Sequence, residues 1–82
     1  MKFHGKGTIY YVVCEVVDEY GEVKDWFECF SSDDSGEAIR WACEHVEDYV
    51  GSEEEQLTVL AVPEDGHLYD DYDEHDIIWC SQ

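Results

Sequence analysis

Lys and Arg together supply only 4 of 82 residues, against 22 Asp and Glu. The formal net charge is -18 and the pI is near 4.1. A chain so short of cations has no basic face with which to neutralise phosphates, which excludes a simple nucleic-acid binder. The same shortage argues against docking on an anionic membrane. Long apolar runs are missing too, so no membrane span is expected. The start, Met1-Lys2-Phe3-His4-Gly5, lacks the apolar core of a signal peptide. Four cysteines are too small a fraction to mark a disulfide scaffold. Free thiols in a reducing cytoplasm are the expectation.

What is present is aromatic and apolar. The chain holds 3 Trp, 6 Tyr and 3 Phe, and 44% of its residues are hydrophobic. Disordered acidic chains are poor in such residues, so this one is expected to fold. Its length allows a single domain over residues 1–82. A domain of this size hides only about 60% of its unfolded surface, and its charges repel one another. Solubility needs a net charge of only about 2 to 8 in a small domain. The excess therefore calls for another explanation.

Residues 8–17, TIYYVVCEVV, read as a strand, the acidic stretch around Tyr20-Gly21 as a turn, and residues 23–30 as a second strand. A hairpin centred on the turn places Cys14 opposite Phe27 and Val12 opposite Cys29. One face then holds Tyr10, Val12, Cys14, Val16, Val23, Phe27 and Cys29 and reads as core, with Asp25 near its end. The other holds Tyr11, Val13, Glu15, Val17, Lys24, Trp26, Glu28 and Phe30 and reads as half wet. Asp34 and Glu37 have capping-box spacing before a helix over residues 35–50, with Gly51 at the position that commonly closes a helix. Ile39, Ala42, Cys43, Val46, Tyr49 and Val50 form its apolar stripe. Glu37, Arg40, Trp41, Glu44, Glu47 and Asp48 face elsewhere. Residues 56–62 read as a central strand ended by Pro63. Residues 77–80 return to apolar types and read as a short closing strand. The expected fold class is α+β, with one helix on an antiparallel-rich sheet of three to four strands, in ββαβ order with a short final strand.

Chemistry-bearing patterns are sparse. Cys14, Cys29, Cys43, Cys80, His4, His45, His67 and His75 include no close pair of the kind structural zinc uses, and the cysteines read as small hydrophobes. The acidic stretch at 70–76 lacks the central Gly and distal Glu of a calcium loop. There is no glycine-rich phosphate loop and no nucleophile elbow. No cofactor, metal or catalytic residue is expected, and the chain reads as a non-enzyme.

The acid itself remains, interleaved with aromatics. Glu64, Asp65, Asp70, Asp71, Asp73, Glu74 and Asp76 cluster beside Tyr69 and Tyr72. Glu44, Glu47 and Asp48 lie on the outer helix face, and Glu53, Glu54 and Glu55 follow. A folded chain of this mass exposes roughly 5,000 Å², or roughly 230 Å² per carboxylate. Duplex DNA carries one charge per roughly 110 Å². Clustering would bring a patch level with DNA.

The small size, the charge, the strand-strand-helix-strand plan and acidic runs such as EEE at 53–55 and DDYDEHD at 70–76 resemble the acidic inhibitors made by phages and mobile elements. These include nucleic-acid mimics such as anti-restriction proteins and many anti-CRISPR proteins. The resemblance is one of character across the whole chain. It implies an inhibitor that blocks the DNA- or RNA-binding surface of a basic protein, with a subunit of a CRISPR effector favoured, in the cytoplasm of a bacterial host. Neither nucleic acid nor membrane is expected as a direct partner. The expected contact residues are Asp70, Asp71, Tyr72, Asp73, Glu74, Asp76, Glu64 and Asp65, with Glu44, Glu47 and Asp48 on the helix. The alternative is an immunity or antitoxin protein that neutralises a basic toxin or nuclease.

Overall fold

The structure is a computed structural model that describes residues 7–63 and 75–81. Its strands are β1 (Thr8–Val17), β2 (Val23–Ser32), β3 (Glu55–Pro63) and β4 (Asp76–Cys80), and its helix is α1 (Ser35–Tyr49). They form one antiparallel sheet in the order β2-β1-β3-β4 with α1 on one face, an α+β fold. The apolar β3 lies between β1 and β4, as its sequence requires. The turn segment at 64–66 and most of the stretch 67–76 lie outside the described residues.

The β1–β2 turn is built by Asp18. Its Oδ1 accepts from the amides of Tyr20 (2.9 Å) and Glu22 (3.0 Å). Gly21 takes φ 85°, a conformation that side chains with a Cβ resist. Cys14 pairs with Phe27 as the pattern predicts. Val12, however, pairs with Phe30, because Cys29 is an extra residue on β2. A second irregularity leaves Lys24 unmatched. Past such a bulge the alternation of faces resets. Phe30 thereby moves to the helix side, where its ring stacks on Trp41 at 4.9 Å.

Asp34 caps α1, its Oδ1 accepting from the amides of Gly36 and Glu37. Glu37 does not complete the box by reaching back to the Asp34 amide. The Ser32 hydroxyl accepts from that amide and donates to the Glu37 carboxylate. Gly51 does not adopt a left-handed backbone. The helix ends on Val50, whose φ of -101° and ψ of 96° are extended. The Gly51 amide donates to Glu55 Oε1.

Tyr10, Val12, Cys14, Leu57 and Val59 from the sheet pack with Ala38 and Ala42 of α1. Two small residues let the helix approach closely. Ile39, Val46, Tyr49 and Val50 line that core as the stripe requires, but Cys43 is exposed. Trp41 turns inward instead of out. The opposite sheet face is drier than its mixed composition implies. Val13, Leu60, Val62 and Thr58 are buried there, and Glu15 is only 4% exposed. Its Oε1 accepts from Gln56 Nε2 (2.7 Å) and from the Thr58 hydroxyl (2.9 Å). These donors make burial of the carboxylate tolerable.

Candidate interaction surface

The antiparallel order decides which acids meet. Val16 pairs with Glu55, and the Val17 amide donates to the Glu54 carbonyl at 2.7 Å. The loop after α1 therefore lies against the β1–β2 turn. The Cys14 thiol donates to the Tyr49 carbonyl at 3.8 Å, so α1 also ends at this pole. The turn that holds Asp18, Glu19 and Glu22 thus lies beside the loop that holds Glu53 and Glu54, and Glu47 and Asp48 stand in the last helical turn before that loop. All but Asp18 belong to the most exposed residues. Glu47 and Asp48 sit in the last helical turn, which holds no basic residue. Carboxylates there oppose the helix dipole.

The backbone amides of Glu22 and Tyr20, followed in effect by the charge of Lys24, hold the Asp18 carboxyl below its ordinary value. It stays ionised to lower pH than an ordinary aspartate. Burial, then the carboxylates of Glu55 and Glu15, push the Cys14 thiol up. Burial, with the Cys14 thiol nearby as the next cause, pushes Cys29 up to about 11. Both remain thiols at neutral pH, whereas a nucleophile or metal ligand must be a thiolate. Among the described residues, no group of three or more His, Cys, Asp or Glu comes together to hold a metal ion. Among them, too, no helix is long and apolar enough to cross a membrane.

Of the residues expected at the contact surface, Glu44, Glu47 and Asp48 are exposed on α1. Asp76 is exposed at the start of β4, paired with Ala61 toward the far end of the sheet. The fold separates it from the helical group. Glu64, Asp65, Asp70, Asp71, Tyr72, Asp73 and Glu74 lie outside the described residues. Sequence reasoning missed the joining of Asp18, Glu19 and Glu22 to the loop at Glu53 and Glu54. The signal was the antiparallel return of β3, which brings its start beside the hairpin turn.

A second feature lies between α1 and the edge strand β2. Trp41 stacks on Phe30 (interplanar 6°) and on His45 (4.1 Å, 17°). Tyr49 tilts against Trp41 at 5.9 Å and against Phe27 at 6.2 Å. The His45 Nδ1–H donates to the Trp41 carbonyl (2.9 Å), which fixes the ring over the indole. The five rings form a continuous seam, and Phe27 is 51% exposed within it. Sequence reading placed Trp41 outside, among the acids.

Set against protein-family models, characterised proteins and solved structures, the chain matches none of them. Its geometry and chemistry alone carry the functional reading.

Proposed function

We propose that the protein is a non-enzymatic inhibitor whose carboxylates stand in for nucleic-acid phosphates on a basic protein. The observation that supports this reading most is acid placed where it opposes the stability of the fold. Four cations cannot pair with 22 carboxylates. The surface of 5531 Å² carries one carboxylate per about 250 Å² on average, and duplex DNA one charge per roughly 110 Å². The hairpin turn and the loop after α1 bring Asp18, Glu19, Glu22, Glu53 and Glu54 to one end of the sheet. Glu47 and Asp48 add repulsion from the helix dipole. Charge that opposes folding on this scale is explained by a partner of opposite charge. Nucleic-acid grooves are the most extended cationic surfaces that proteins carry.

Within this class we favour a CRISPR effector complex, whose guide, target and PAM-reading channels are lined with Lys and Arg. The test is interference in cells. A plasmid carrying a targeted sequence is introduced into bacteria with an active CRISPR system, with and without this protein. The expected result is transformation restored to the level of an untargeted plasmid. Undiminished interference by type I and type II systems alike contradicts the CRISPR target.

A further inference from the structure

The ring seam runs along the margin of the core, with Phe30, Trp41 and Tyr49 partly buried against it and Phe27 left open. The buried helix residues Ala38 and Ala42 sit over β1 and β3, with Val12, Cys14, Leu57 and Val59. Of the two rings contributed by β2, Phe30 packs against that core and Phe27 is left at its open edge. Phe27 faces the helix side opposite Cys14, yet half its surface is open. Carboxylates border the seam on both banks. Asp25 shares the Phe27 face of β2, two residues earlier. Glu37, Glu44 and Asp48 stand at -4, +3 and +7 from Trp41 and so share its side of the helix. All four are exposed. An apolar strip with an acidic rim is the layout of a recognition surface, in which aromatics anchor and the rim sets partner charge.

We propose that this seam is the anchor point for a basic partner and that it selects arginine over lysine. The proposal rests on the reading that the partner is basic. A guanidinium is planar and weakly hydrated, so it stacks on ring faces while its edge N–H groups donate to carboxylates. An ammonium is compact and strongly hydrated, and it is attracted by the acids with less gain from the rings. Phe27 and Tyr49 supply ring surface, and Asp25 and Asp48 supply acceptors beside it.

The probes are oligo-arginine and oligo-lysine peptides of equal length, titrated calorimetrically at about 0.15 M salt. The intact protein is expected to bind the arginine peptide about tenfold more tightly. Phe27→Tyr, which keeps the ring, should retain that preference. Phe27→Leu, which keeps an apolar side chain but removes the π face, should shrink it to within about twofold while leaving lysine affinity unchanged. The Phe27 ring-proton resonances should shift with the arginine peptide. Equal affinities in the intact protein, or a preference that survives Phe27→Leu, overturn the proposal. If the peptides bind equally and both are weakened by reversing Glu44, Glu47 and Asp48 to Lys, arginine selection falls and recognition by charge stands. If neither peptide binds, both fall.

Discussion

Glu15 is a residue whose charge serves the fold. It is buried on the face away from α1, and Gln56 and Thr58 donate to it. Glu15→Leu leaves those donors without their acceptor and is expected to destabilise the protein by about 1–3 kcal/mol, read from urea unfolding. Loss below about 0.5 kcal/mol would mean that the donors find new partners. Two other residues give pH dependence of opposite sign. The folded value of Asp18 is depressed, so its contribution is present at neutral pH and is lost in acid as the carboxyl protonates below its ordinary 3.8. Asp18→Asn should flatten that part of the acid limb. The folded value of Cys29 is raised, so the fold holds its proton more tightly than the unfolded chain. That contribution is complete below pH 9.0 and is lost as pH rises toward about 11. Cys29→Ala should therefore lose less stability than the parent protein between those limits, measured by denaturant unfolding at stepped pH.

The helix agrees with its sequence at one end and conflicts with it at the other. Asp34 and Glu37 suit the N-terminal end of α1, and Glu47 and Asp48 oppose the C-terminal end. Glu47→Lys and Asp48→Lys are expected to stabilise the protein by about 0.3–1 kcal/mol each and to weaken partner binding. Stabilisation without weaker binding would remove this end from the interface. Periodicity made α1 legible, because a 3.6-residue spacing survives any packing arrangement, and runs of β-branched, aromatic and apolar residues bounded by turn signals made the strands legible. The bulge at Cys29 was not legible, since nothing in the residue types around it marks an extra residue. That single slip hid Phe30 on the wrong face, and with it the pocket of rings that draws Trp41 inward. Cys43 was misplaced by the same logic. A small apolar residue and a large aromatic competed for the boundary of the helix, and the aromatic gains more from burial.

At the scale of the whole molecule, the acid clusters were visible in the sequence, but their assembly was not. Val17 and Glu54 are far apart in the chain and meet only because β3 returns antiparallel beside β1, which sets the acids of the turn beside those of the loop. The net charge of -18 predicts that screening helps the free protein and harms its complex. Raising salt from about 0.05 to about 0.5 M should raise the thermal midpoint and lower affinity for the partner. A thermal midpoint unchanged by salt would mean that repulsion does not limit the fold. The central claim is that these carboxylates occupy the place of phosphates, and competition tests it most directly. Binding of the protein is measured to a CRISPR effector complex, first free and then saturated with its target DNA. Binding to the free effector and its loss when the DNA is in place is the predicted result. A ternary complex that keeps DNA bound, at unchanged affinity for the protein, contradicts it.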